Sequence, residues 1–239
     1  MRPPIRKLNP AEISVLLRGD REIIADWTRQ GSAPRFVLHV FIIVIGAGLY
    51  GAAMGWWRDP QQAFYVAVKF PLIILLTTAG NALLNAMLAP LLGLNLPFRQ
   101  SSSAILMSFT IAAAILGAFS PLVAFLVWNA PDMAAKNLSG STYSFILLAH
   151  VLVIALAGLT GNARLFQLLA QLGGSRTVAR RVLLAWLAGN LFLGSQLSWI
   201  LRPFIGSPML PVEFVRKAAF HGNFFEAIIH SLQQIFQFN

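Results

Sequence analysis

The best candidates for a functional site in this sequence are amide and hydroxyl side chains that recur at helical spacing. Thr77, Asn81 and Asn85 follow one another at four-residue steps, so on a helix they form one polar stripe. In an apolar segment these groups need protein partners, because lipid offers no hydrogen bonds. The possible partners are Asn190 and Gln196 in span five and Asn162 near the end of span four. We call Thr77, Asn81, Asn85, Asn190 and Gln196 the polar seam. The seam either lines a water or solute path or fixes helix packing through interhelical hydrogen bonds.

Patterns typical of enzymes and metal sites are missing from the sequence. There is no cysteine, no HExxH, no GxSxG, no P-loop and no paired carboxylate. The four histidines lack metal-ligand spacing, and the two inside apolar segments, His39 and His150, are typical of hydrogen-bonded packing. We therefore predict that the protein is not an enzyme and has no catalytic, metal or cofactor site.

The composition excludes an ordinary soluble domain. Of 239 residues, 57% are hydrophobic and 11% charged, with a mean hydropathy of +0.69. Soluble domains carry roughly 45–50% apolar and about 25% charged residues. The same values exclude disordered and disulfide-rich classes. The predicted fold is an all-α, polytopic membrane helix bundle with additional amphipathic surface helices.

Five apolar segments are long enough to cross a bilayer, which takes about 20 residues. They cover residues 36–54, 70–93, 104–128, 143–160 and 182–201. A lead-in helix from Gln61 is predicted before span two, with Lys69 reaching outward to the membrane interface. Three regions follow: a basic, amphipathic N-terminal segment (1–35), the five-helix transmembrane domain (36–202) and a C-terminal tail (203–239).

Three segments outside the spans have helical apolar faces. The N-terminal segment predicts a helix after Asn9 that either lies on the inner leaflet or docks a cytosolic partner. Residues 165–172 predict a short membrane-surface helix that ends at Gly173-Gly174. Residues 224–236 predict a tail helix whose apolar face covers the bundle, enters the interface or pairs with another subunit.

The distribution of basic residues predicts the orientation. With five spans, one side receives twelve Lys and Arg and the other side six. The positive-inside rule places the N-terminus in the cytoplasm and the C-terminus outside a bacterial inner (plasma) membrane. Because the basic residues lie beside spans, the net charge of +10 reflects orientation and not nucleic-acid binding.

Span one contains a ladder of small residues, Ala47, Gly51 and Gly55. The pairs Ala113–Gly117 and Ala185–Gly189 repeat its spacing once each. Small residues let helix backbones approach closely, so the ladder is a candidate helix-packing face. The spacing does not say whether that contact is within one chain or between copies.

A basic cytoplasmic segment, five spans and an outside C-terminus resemble the Yip1-like family of small membrane proteins. The phrases GLYGAAMG (48–55), AVKFPLIILLTTAGNALLN (67–85) and GSQLSWILRPFIGSP (194–208) are similar to features of uncharacterised bacterial polytopic membrane proteins. The resemblance implies an adaptor or organiser of membranes and assigns no functional residue.

The predicted function is therefore a non-enzymatic adaptor or subunit of a membrane complex. Its expected partners are the lipid bilayer and either itself or other membrane subunits, with no nucleic acid. The alternative is an ion channel or small-solute permease that uses the polar seam on span two.

Overall fold

A computed structural model describes residues 15, 18, 26–28, 32–133, 140–207, 210–226, 229 and 233. Five helices, each long and apolar enough to span a membrane, account for the predicted spans. They are α1 (Ala33–Trp56), α2 (Pro60–Leu91), α3 (Phe98–Trp128), α4 (Gly140–Gly173) and α5 (Arg176–Leu201). The all-α fold class and the five candidate spans are confirmed.

Local sequence signals explain where these helices begin and end. Asp59 caps α2 by accepting a hydrogen bond from the Gln61 backbone N–H at 2.7 Å, with Pro60 at the first helical position. Gly174 follows α4 with a φ of +62°, and Ser175 caps α5. The short connections at 57–59, 92–97 and 174–175 make the helices on either side of each of them antiparallel.

Four of the helices pack as a circuit, and α1 packs against two of its members. α2 packs against α3, α3 against α4, α4 against α5, and α5 closes the circuit on α2. α1 lies against both α2 and α3. We call the end of the bundle where α1 begins the amino-terminal side and the end where α5 finishes the carboxyl-terminal side.

One predicted surface helix is wrong. Residues 165–172 do not form a separate surface helix, because α4 continues through them and buries Leu165, Leu168 and Leu169 in the core. Gly161 does not break α4 and lets the helix approach α3: a Cβ atom there would lie 2.6 Å from the Ser108 carbonyl oxygen. The helix predicted to lead into span two from Gln61 is confirmed, and it is continuous with the span as α2.

The Lys69 side chain does not extend outward from the bundle as predicted. Its side chain is 0% exposed, and its Nζ donates to the carbonyl oxygen of Pro203 at 3.0 Å. The physical reason is that the chain folds back over α2 after α5 ends, so backbone carbonyls meet the ammonium group before water can.

The five helices contribute unequally to the two main core clusters. The cluster nearer the amino-terminal side includes Ala179, Val182 and Trp186 of α5. The cluster nearer the carboxyl-terminal side is built from α1, α2, α3, α4, Met133 and Ile205, without α5. In α5, which is described throughout, no residue from 187 to 200 is buried. The first third of α5 therefore anchors this helix in the bundle.

The terminal segments are described only in part. Trp27 packs against the first core cluster and lies 4.7 Å from the Arg35 guanidinium carbon. Phe225 stacks on Phe192 of α5, with ring centroids 5.9 Å apart. Most of the predicted N-terminal helix and most of the predicted tail helix 224–236 lie outside the described residues, so those two predictions stay predictions.

Candidate functional site: the polar seam between α2 and α5

Three amides of the polar seam form one hydrogen-bonded chain across the α2–α5 contact. The Nδ2 of Asn85 donates to the Oδ1 of Asn81 at 3.0 Å. The Nδ2 of Asn81 donates in turn to the Oδ1 of Asn190 at 2.6 Å. Asn81 is 1% exposed and Asn85 0% exposed. The prediction that this stripe faces protein, with Asn190 on span five as its partner, is confirmed.

The α5 backbone makes room for this amide chain. A Cβ atom at Gly189 would lie 2.7 Å from the Oδ1 of Asn81, so a larger residue there would displace the amide. The carbonyl oxygen of Trp186 lies 3.4 Å from the Nδ2 of Asn81 and is a second, longer acceptor. Sequence reasoning missed this role of Gly189, although its position next to Asn190 was a usable signal.

The other two seam residues stand apart from the chain of amides. Thr77 is buried beside Gly194, where a Cβ atom would lie 3.8 Å from the Thr77 Oγ1. Gln196 is half-buried and forms no hydrogen bond with the described part of the chain. The structure therefore joins Asn81, Asn85 and Asn190, places Thr77 alongside α5 and leaves Gln196 out.

The seam retains hydrogen-bonding capacity that no described residue uses. Thr77 Oγ1, Asn85 Oδ1 and Trp186 Nε1 are buried and have no hydrogen-bond partner among the described residues. A buried polar group without a partner costs about 1–3 kcal/mol. By contrast, the neighbouring Thr78 donates to the Ile74 carbonyl oxygen at 2.7 Å.

The predicted helix-packing face lies within the chain. A Cβ atom at Gly51 would lie 2.6 Å from the Val66 carbonyl oxygen, and one at Gly55 2.7 Å from that of Gln62. Both contacts are with α2, and Ala47 is fully buried. Gly46, which the sequence reasoning did not single out, touches the Ala113 carbonyl on α3 so closely that no side chain fits there.

The two intramembrane histidines are bonded across helix contacts, as expected of packing residues. His39 Nδ1 lies 3.0 Å from the Oγ1 of Thr110 on α3. His150 Nδ1 lies 3.1 Å from the hydroxyl of Tyr50 on α1. No group of three His, Asp or Glu side chains suited to a metal ion occurs among the residues that the structure describes.

A second polar contact, which sequence reasoning missed, fastens the chain after α5 onto α2. Gln62 Nε2 donates to the carbonyl oxygens of Pro203 at 2.9 Å and Phe204 at 2.8 Å. Lys69 donates to Pro203 and lies 3.5 Å from the carbonyl oxygen of Glu213. Gln62 and Lys69 lie seven residues apart, on one face of α2, and that spacing was the available signal.

Comparison with known proteins assigns no role to these residues. No protein-family model, no curated protein and no solved structure matches the chain. The chemistry of the polar seam is therefore argued from its own geometry.

Proposed function

We propose that the protein is a non-enzymatic subunit of a membrane complex and that two copies of the chain meet along residues 187–200 of α5. One observation carries the proposal. This stretch belongs to a membrane-length helix, yet none of its side chains is buried by the rest of the chain. α5 is also the least apolar of the five candidate spans. A span that is both poorly buried and comparatively polar calls for a protein neighbour.

The amide of Gln196 supports a second copy as that neighbour. Gln196 has no hydrogen-bond partner in the described part of its own chain, and lipid supplies none. A primary amide both donates and accepts, so two Gln196 side chains related by a twofold axis can pair with each other. Ser195 and Ser198 are small and permit close approach of two such helices.

The hydrogen-bonded amides support an internal role for the rest of the polar seam. The donor and acceptor groups of the Asn81 amide are hydrogen-bonded to Asn85, Asn190 and the Trp186 carbonyl oxygen. In this proposal the seam fixes α5 against α2, and the fixed helix presents Gln196 to the second copy.

Site-specific photo-crosslinking in native membranes tests the proposal. A benzophenone amino acid at position 196 should give an adduct of twice the chain mass that contains both a tagged and an untagged copy. The matched control is position 152 in α4, where Leu152 is 62% exposed. The proposal fails if position 196 yields no more dimer than position 152 and an untagged copy does not co-purify with a tagged one.

For the setting of this complex we propose a bacterial inner membrane with the N-terminus in the cytoplasm. The proposal rests on the twelve basic residues of the amino-terminal side against six of the other side. Green fluorescent protein fused to the N-terminus should fluoresce, and alkaline phosphatase fused after residue 239 should be active. The reverse pair of results would contradict this orientation.

A small-solute path along the polar seam is the second candidate function. It is favoured by the buried Thr77 Oγ1 and Asn85 Oδ1, whose acceptor capacity no described residue uses. Solute flux into liposomes that carry the protein, abolished by Asn81→Leu and by Asn85→Leu, would favour the path. Flux equal to that of protein-free liposomes would remove this candidate.

A further inference from the structure

Three cationic side chains gather where α5 ends and the chain folds back over α2. The ammonium group of Lys69 donates to the carbonyl oxygen of Pro203, the residue after Arg202, at 3.0 Å. It also lies 5.1 Å from the ring centroid of Phe214, two residues before Arg216. Lys69 thus sits between the two stretches of chain that carry Arg202 and Arg216.

Arg202 is held in a defined orientation beside this lysine. Its guanidinium carbon lies 3.5 Å from the centroid of the Trp199 ring, and its Nη1 donates to the Trp199 carbonyl oxygen at 2.9 Å. Burial and the positive charge of Arg216 lower the pKa of the Arg202 guanidinium. Burial is the larger cause and the charge of Arg216 the smaller one, so the two guanidinium groups lie near enough to interact. The charge of Arg216 also acts on Lys69.

Acidic side chains do not neutralise this cluster. The acidic residues from α1 onward are Asp59, Asp132, Glu213 and Glu226, and all four are described. Within the described residues, none of them forms an ion pair with Lys69, Arg202 or Arg216. Glu213 meets Lys69 through its backbone oxygen, and the Glu226 carboxylate accepts a hydrogen bond from Asn223. Like charges on neighbouring residues repel one another unless an anion joins them.

We propose that Arg202 and Arg216, backed by the buried charge of Lys69, bind a phosphate-class anion on the carboxyl-terminal side. Both arginines are half-exposed, so their guanidinium groups are accessible. The planar guanidinium fork matches a phosphate in a bidentate geometry. Lys69 adds charge without contact, because its own donors already meet backbone carbonyls.

The surroundings identify two sources for such a phosphate. Tyr65 and Trp199 lie beside the cluster, and aromatic side chains of this kind mark the headgroup level of a bilayer. The headgroup phosphate of an anionic lipid and a free phosphate ion share the chemistry that the arginines recognise. Two probes, phosphatidylglycerol and inorganic phosphate, separate these sources.

The experiment uses the full-length protein in dodecyl maltoside. Each probe is titrated while the apparent Tm is recorded, and bound lipid is counted by native mass spectrometry. Arg216→Gln is the main variant, because the Arg216 side chain makes no hydrogen bond with the described residues and its removal leaves the fold-back contacts in place. Lys217→Gln is the matched control: it removes one positive charge from the next, exposed residue. Arg202→Gln serves as the second variant if Arg216→Gln is not monodisperse.

We expect phosphatidylglycerol to bind Arg216→Gln at least tenfold more weakly than wild type, and Lys217→Gln within twofold of wild type. A rise in Tm with inorganic phosphate, present in wild type and lost in Arg216→Gln, would assign the site to free phosphate. If neither probe binds wild type, or if Arg216→Gln and Lys217→Gln weaken binding equally, the proposal is overturned.

Discussion

α2 meets α1 through backbone atoms and meets α5 through side-chain amides. On the α1 side, Gly51 and Gly55 bring the two helices so close that a Cβ atom would overlap backbone oxygens. On the α5 side, Asn81 and Asn85 reach across to Asn190 and fill the space between the helices. The first contact depends on the absence of side chains and the second on their hydrogen bonds.

This difference teaches how each contact holds its helices in the membrane. Close backbone packing gains many dispersion contacts and tolerates no added volume. Interhelical amide bonds are worth only about 0.6 kcal/mol each on average, but an amide left unpaired costs more. The α1 contact should therefore respond to size and the α5 contact to hydrogen-bonding capacity.

The largest effect is expected from Gly51→Leu at the α1 contact. Its Cβ atom alone would lie 2.6 Å from the Val66 carbonyl oxygen, and backbone cannot move away as a side chain can. We expect a loss of about 3 kcal/mol of stability, at the upper end of the cost of overpacking. For a chain of this size, that loss lowers the apparent Tm by about 6–12 °C.

The control for Gly51→Leu is Gly158→Leu on α4. A Cβ atom at Gly158 meets no atom within 4 Å, so its Tm should stay close to that of wild type. Differential scanning fluorimetry and size-exclusion chromatography in mild detergent give both readouts. Equal Tm changes in the two variants would show that the α1 contact is not limited by size.

The next largest effect is expected from Asn81→Leu at the α5 contact. This change removes the central amide and leaves the Nδ2 of Asn85 and the Oδ1 of Asn190 without their partner. We expect a cost of about 1–3 kcal/mol, the usual penalty for buried polar groups that lose a partner. The same thermal measurement applies.

Asn162→Leu is the matched control for Asn81→Leu. The Asn162 amide bonds to the Gly158 carbonyl oxygen of its own helix at 2.8 Å, so its loss disturbs no helix pair. In a double-mutant cycle, Asn81→Leu and Asn190→Leu together should cost less than the sum of the single changes. Additive costs would mean that the two amides act independently, against the hydrogen bond between them.

The sequence was sufficient for the polar stripe and for its direction. Because lipid offers no hydrogen bonds, the four-residue spacing of Thr77, Asn81 and Asn85 already required a protein partner on that face. Asn190 is the partner that the sequence predicts, because it is a polar residue at intermediate depth in span five. Gln196 fits the same reasoning and yet makes no bond in the described chain, since a sequence does not align the depths of two helices.

Two other features depended on tertiary contacts that spacing does not contain. The sequence predicts that Lys69 extends outward, because nothing in it indicates that the chain after α5 folds back and offers the Pro203 carbonyl. The amphipathic pattern of residues 165–172 predicts a surface helix, although the same pattern also fits the buried end of α4. The core formed with Ala179, Val182 and Trp186 decides between the two.

The smallest effects separate size from hydrogen bonding within the α5 contact itself. Gly189 of α5 faces α2, and Gly80 of α2 faces α5. A Cβ atom at Gly189 would lie 2.7 Å from the Asn81 Oδ1, and a Cβ atom at Gly80 would lie 2.9 Å from the Leu193 Cδ1. Replacing a mid-helix glycine by alanine gains roughly 0.5–1 kcal/mol of helix stability. In Gly80→Ala, Leu193 can change rotamer, so the gain in helix stability is kept. In Gly189→Ala, Asn81 cannot move without stretching its hydrogen bonds to Asn85 and Asn190.

We therefore expect Gly80→Ala to be neutral or slightly stabilising and Gly189→Ala to lower the apparent Tm by about 2–4 °C, the shift for about 1 kcal/mol. Adding Gly189→Ala to Asn81→Leu should produce a smaller further drop, because the bonded amide is already absent. If Gly189→Ala lowers the Tm no more than Gly80→Ala does, the Asn81 amide can move without cost, and the α5 contact does not depend on the geometry of its hydrogen bonds.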